Sequence, residues 1–180
     1  MSGSSSSEHT FRRIITSHHS SDTDGSNVQI YDDTLPMRPV LDGNAHMTPL
    51  FAHLDVPARS SHSITPDGIK EAMSLAPGVV TPNGVNGQVT DVAPGFKIEM
   101  HRTNSIDYNV FLKGSAWLIT PAGPGKEDNR VLVKAGEVVV QRGTIHAWEA
   151  GEEGARWCTV VVSALPVEIE GKKLDEVDFE

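Results

Sequence analysis

The segment GFKIEMHRTNSIDYNVFLKG, residues 95–114, decides how this chain is read. Its first half alternates in the manner of a strand, where side chains two apart share a face. Phe96, Ile98 and Met100 fall on one side, and Lys97, Glu99, His101 and Thr103 on the other. The apolar set reads as core. The other set holds groups that do not enter a dry core without partners, so His101 is expected where a ligand is met. The second half alternates again, with Asp107, Asn109 and Phe111 on one face and Tyr108, Val110 and Leu112 on the other. Downstream, in QRGTIHAW, residues 141–148, Gly143 permits a sharp turn into a strand on which His146 and Trp148 point one way.

The same texture extends outward. Short β-rich runs occupy residues 88–94, 96–103, 107–114, 115–121, 130–134, 137–141, 146–150 and 156–164, separated by glycines and turn residues. That spacing predicts an antiparallel barrel or sandwich. Upstream, residues 11–16 and 28–31 are expected to pair as an N-terminal β-hairpin across a polar turn. Residues 32–43 hold two prolines and little periodicity, and are expected to run along the surface or across a neighbouring subunit. One short helix is predicted over residues 69–76, with Thr65 as its cap, Pro66 at its first position, and Pro77 and Gly78 ending it. The expected organisation is a flexible tail (1–10), a single domain (11–166, with its barrel core at about 87–164), and an exposed acidic tail (167–180). Nine serines fall within the first 26 residues, and residues 167–180 carry six acids against two lysines, so neither end offers much to bury.

Composition narrows the function. The 180 residues carry 24 acidic and 15 basic side chains, a formal charge of -9. That argues against nucleic acid as a partner, which demands phosphate neutralisation, and against an anionic membrane surface. A single cysteine, Cys158, precludes an internal disulfide framework, and its apolar strand suggests an inert buried thiol. No run approaches the roughly 20 apolar residues of a membrane span. No apolar leader precedes residue 11, so a cytoplasmic protein is expected.

His101, Asp107 and His146 could converge from three neighbouring strands. Two imidazoles and one carboxylate make a facial triad for Fe(II), with Zn, Mn, Ni or Co as other occupants, and leave positions open for substrate, water or oxygen. The plainer reading is a structural His101–Asp107 hydrogen bond in a buried pair. Trp117, Trp148 and Trp157 read as core or pocket wall. His9, His18, His19, His46, His53 and His62 lie in loops or poorly patterned chain and read as surface residues.

At these positions the chain resembles the cupin superfamily. The first cupin motif has the form G-x5-H-x-H-x3,4-E-x6-G. Here Gly95, His101-Arg102-Thr103, Asp107 and Gly114 keep its spacing. The second motif ends in P-x-G-x2-H. Here Gly136 leads, one residue closer than usual, to Gln141-Arg142-Gly143 and His146. HRTNSIDY and VQRGTIHAW are similar to segments of small single-domain cupins, including members from fungal natural-product pathways. The resemblance implies an all-β, cupin-type double-stranded β-helix, that is, a closed jelly-roll barrel, and a homodimer. It departs from the pattern twice: Thr103 stands at the second histidine and Asp107 at the glutamate.

The resemblance implies three competing functions. One is a metal-dependent oxidoreductase or oxygenase acting on a small polyketide-like or aromatic metabolite, with His101, Asp107 and His146 as metal ligands and catalytic groups and Fe(II) foremost. In it Arg102, Thr103 and Asn109 would position substrate oxygens, and Phe111, Trp117 and Trp148 would form the wall. Arg102, with the opposite parity to His101, could instead make a salt bridge or subunit contact. The second is a non-redox lyase, dehydratase, cyclase or isomerase in which a histidine moves a proton and Asp107 orients it, with or without metal. The third is a metal-free, non-catalytic small-molecule-binding barrel.

Overall fold

A computed structural model describes residues 9–58 and 63–179; residues 1–8 of the expected tail, and His62, lie outside the described residues. β1 (Thr10–His18) pairs antiparallel with β2 (Val28–Pro36), so the N-terminal hairpin forms and runs longer than its sequence pattern suggested. The irregular stretch after it is partly ordered: β2 reaches Pro36, and β3 (Arg38–Val40) pairs with β4 (Ala45–Leu54). The helix α1 spans Pro66–Ser74. The Thr65 hydroxyl accepts from the Gly68 N–H at 3.1 Å, satisfying one donor of the first turn, and Pro66 sits where no N–H is needed.

The remaining strands are β5 (Gly84–Val92), β6 (Lys97–His101), β7 (Ser105–Thr120), β8 (Asn129–Lys134), β9 (Val138–Arg142), β10 (His146–Ser163), β11 (Glu168–Ile169) and β12 (Lys172–Lys173). Eight of the strands form one sheet, whose path runs β3-β4-β5-β10-β7-β8, with β6 attached to β10 and β9 to β7. The expected closed jelly-roll barrel does not form, because this path ends at β3 and β8 without returning on itself. The physical reason lies in β7 and β10, of 16 and 18 residues, each long enough to serve two layers. The first half of β7 pairs with β9 and with the second half of β10, which also pairs with β5. The second half of β7 pairs with β8 and with the first half of β10, which also pairs with β6. The layers are joined through two shared, bent strands, so ring closure is not what holds them.

The bend falls at glycines. The β7–β10 register shifts between Ala150 and Ala155, opposite Gly114 at φ +67°. A Cβ on Gly114 would stand 2.0 Å from the Gly154 carbonyl oxygen, so only glycine permits this approach. The layers enclose one core that includes Val92, Ile98, Phe111, Val133, Trp148 and Trp157, drawn from both. Phe111 packs between Trp148 and Trp157, with ring centroids 5.5 and 5.3 Å away. Among the described residues, no helix is long and apolar enough to cross a membrane.

Candidate functional site

The site lies between the layers. Along the start of β7 the period of two holds: Asp107, Asn109 and Phe111 turn inward and Tyr108, Val110 and Leu112 outward. It fails in β6. His146 pairs with His101, but Trp148 pairs with Ile98, so three residues of β6 span the length of two on β10. This β-bulge at Glu99 and Met100 turns Ile98 and His101 to the same cavity, against the expectation that they oppose each other.

The bulge also orients the imidazole. His101 Nδ1 lies 2.8 Å from the Glu99 carbonyl oxygen, and His146 Nδ1 lies 3.0 Å from that of Thr144. A carbonyl only accepts, so each Nδ1 carries the proton and each Nε2 keeps its lone pair. The two rings lie with centroids 4.2 Å apart and planes tilted by 52°. Burial lowers the pKa of His101; burial and the neighbouring His101 lower His146 to about 4. Both rings are therefore neutral bases at neutral pH.

Asp107 enters the same cavity from the other layer. Its Oδ1 is buried with no hydrogen-bond partner among the described residues, and burial pushes the carboxyl up to about 6 against the opposing effect of the Ser105 hydroxyl. Thr103 and Asn109 also line the cavity; Thr103 Oγ1 lies 2.8 Å from Ser105 Oγ, and Asn109 Oδ1 accepts from Thr159 Oγ1 at 2.7 Å. Trp148 forms part of the wall, while Phe111 lies in the core behind it. Two more expected binding residues lie away from the cavity. Trp117 lies beneath the Arg130 guanidinium, 5.2 Å from its ring centroid, and Arg102 donates to the Asp175 carbonyl.

Sequence reading missed three contributors. Gln141, where the cupin motif has proline, donates from Nε2 to Thr144 Oγ1 at 2.5 Å and so orders the turn whose carbonyl holds His146. Ser105 sits beside Asp107, and Phe179 comes from the supposed acidic tail to stand edge-on to His101 at 5.0 Å. The glutamine was legible as a departure from the motif; nothing in the sequence marked Phe179.

Comparison with known proteins bears on the family. Phomopsin biosynthesis cluster protein D of Diaporthe leptostromiformis is 35% identical over 170 residues, spanning 93% of this chain and 86% of that protein. A cupin-domain-containing oxidoreductase of Neurospora crassa is 29% identical over 166 residues, spanning 91% of this chain and 79% of that protein. Homology points to the cupin superfamily. No protein-family model matches it. Among solved structures, an oxalate oxidase bound to glycolate aligns at a TM-score of 0.43 with 20% identity, over 67% of this chain and 51% of that one. A Bacillus subtilis oxalate decarboxylase variant aligns at 0.48 with 15% identity, over 71% and 28%. Overlaps this loose carry no argument about chemistry.

In kind, the donors of this chain suit a divalent transition metal: two neutral imidazoles with Nδ1 tied to carbonyls, and a buried carboxylate oxygen lacking a partner among the described residues. In place, they are not gathered. Among the described residues no three histidine, cysteine, aspartate or glutamate side chains form a metal-binding group, and the assembled part is the His101–His146 pair.

Proposed function

We propose that this protein is an oxidoreductase that converts a small polyketide-like or aromatic metabolite in the cavity between its layers. The observation that carries the reading is the close pair of neutral imidazoles lining one cavity with a buried carboxyl whose Oδ1 has no hydrogen-bond partner among the described residues. A relative named for a biosynthesis cluster supports a small metabolite as substrate, and the cupin-domain oxidoreductase among the relatives supports the reaction type. His101 and His146 would hold a divalent metal, Fe(II) foremost, with Asp107 as the carboxylate donor. Such a metal supplies Lewis acidity and, as iron, electron transfer to oxygen. The chain's own groups bind and orient. Thr103 offers a hydroxyl, and Asn109, its Oδ1 already engaged by Thr159, offers amide N–H groups to a substrate oxygen. Trp148 and Ile98 supply apolar wall and keep water out.

A second reading, a non-redox lyase or isomerase, is favoured by the carboxyl titrating at about 6 beside neutral imidazoles. In it an Nε2 takes a proton from the carbon next to a carbonyl, and Asp107 holds or returns one at Oδ1. Elemental analysis with anaerobic turnover separates the two. The oxidoreductase reading expects a near-stoichiometric transition metal, lost in His101→Ala and His146→Ala, and turnover that stops without oxygen. Folded protein that takes up no iron, manganese or zinc on supplementation overturns metal dependence, and undiminished anaerobic turnover moves the site to acid–base chemistry.

The homodimer is proposed on the outer face of the first layer. There Tyr108, Val110, Val138, Val140 and Val160 lie on adjacent strands and are all exposed. Light scattering is expected to find a dimer that Val140→Glu splits; a wild-type monomer would rule it out.

A further inference from the structure

Residues 174–179 run from the β11–β12 ribbon to the cavity. Val177 and Arg102 exchange backbone hydrogen bonds in both directions, at 2.9 and 3.0 Å. The Arg102 guanidinium donates from Nε and Nη2 to the Asp175 carbonyl at 2.8 and 2.5 Å. The Glu176 carboxylate accepts from the Asn104 N–H at 2.9 Å. Every one of these contacts falls on the three-residue link between His101 and Ser105, so the segment is fastened beside the histidine it covers. Phe179 then packs against the core, edge-on to His101.

Two spaces meet at that ring. The inner cavity, which holds His101, Asp107 and His146, has about 70 Å³ of free volume. The outer cleft, lined by residues that include Gly78, Val80, Arg102 and Glu176, has about 320 Å³. Val79, Thr103 and Phe179 line both. A cavity of about 150 Å³ holds one benzene, and metabolite sites run from about 300 Å³ upward. The inner cavity with Phe179 in place is therefore too small for even a single aromatic ring, and the space a substrate needs lies on the far side of Phe179.

We propose that residues 174–179 are a gating strap latched by Arg102, and that the Phe179 ring occupies the position taken by the apolar or aromatic ring of the substrate. The proposal rests on reading the cavity as the substrate site. Among the described residues, release breaks the hydrogen bonds to residues 102 and 104, the Leu174 N–H bond to the Val167 carbonyl and the Phe179 packing; neither layer's ladder is disturbed. It merges cavity and cleft into one space of substrate size. Arg102, expected to position substrate or bridge subunits, thus acts on access: it is a positioning residue for the strap.

The test is site-resolved modification of histidines by diethyl pyrocarbonate, read by peptide mass spectrometry, on the full chain as purified and again after chelation. The variants are Arg102→Ala, Phe179→Ala and a chain ending at Lys173, with exposed His19 as internal standard. Opening of a latched segment sets the rate, so each variant is expected to speed modification of His101 by about tenfold with His19 unchanged. Indole, as a probe ring, is expected to bind Phe179→Ala about tenfold tighter than the wild type. Phe179→Ala leaves the latch residues in place and carries the test if the shortened chain does not fold. Equal His101 rates and equal indole affinity in folded variants overturn the strap. Because neither readout needs turnover or metal, a failure of the enzymatic reading leaves them interpretable, and unchanged rates in an active enzyme sink the strap alone.

Discussion

Replacing Asp107 by asparagine is expected to stabilise the metal-free protein at neutral pH. The side chain is 7% exposed, its Oδ1 has no partner among the described residues, and its carboxyl is pushed from an ordinary 3.8 up to about 6. The sign follows from proton binding. Between those two values the unfolded chain has released its proton and the folded chain still holds one, so stability falls as pH rises through this window. At one pKa unit per 1.36 kcal/mol, the ionised carboxylate costs the native state about 3 kcal/mol above pH 7. The amide of the Asp107→Asn variant never ionises and escapes that cost. For a chain of this size about 2–4 °C of Tm accompany each kcal/mol, so a gain of about 6–12 °C is the ceiling. His146 slopes the other way, losing stability as pH falls from 6.5 toward about 4, because the unfolded imidazole gains a proton that the buried ring refuses. That contribution is common to both proteins and cancels between them. The assay is urea unfolding of chelator-treated wild type and Asp107→Asn at pH 7 and pH 4. A gain at pH 7 that vanishes near pH 4 supports the reasoning; an asparagine variant less stable than wild type at pH 7 refutes it.

Other substitutions probe the frame that carries the site. Phe111→Ala removes a ring 1% exposed between two tryptophans and is expected to cost about 3–5 kcal/mol in denaturant unfolding. Gly114→Ala drives a Cβ into the Gly154 carbonyl at a positive φ, and a loss of about 3 kcal/mol or more, seen as a lowered Tm, is expected. Thr65→Ala removes the α1 cap at an expected cost of about 1 kcal/mol, measured by the same unfolding curves, with His101 and His146 untouched.

Much of the site was written in local pattern. Asp107, Asn109 and Phe111 alternate with outward apolar residues, and a strand that keeps period two turns them inward together. The helix was legible because Thr65 and Pro66 are both start signals. The face shared by Ile98 and His101 was not, because a bulge adds a residue that no propensity marks. β4 went unread for a related reason: Pro49 interrupts it, and its register with β5 shifts between Pro49 and Phe51. The open path of the sheet was hidden because the chain resembles cupins strand by strand, whereas closure depends on how two long strands divide their edges. Phe179 was hidden because acidic neighbours gave its segment the composition of solvated chain, while its order comes from Arg102, 77 residues away by number.

The glycine contact between β7 and β10 has a mechanical consequence. His101 and His146 ride on one layer and Asp107 on the other, and the two layers are joined where Gly114 meets Gly154. The arrangement is that of a caliper. The imidazoles sit on the same jaw, so a rotation at that joint would leave their mutual spacing alone and change only the span to the carboxyl. On the proposed metal site, the carboxyl would be the adjustable member of the donor set and the histidine pair its fixed reference.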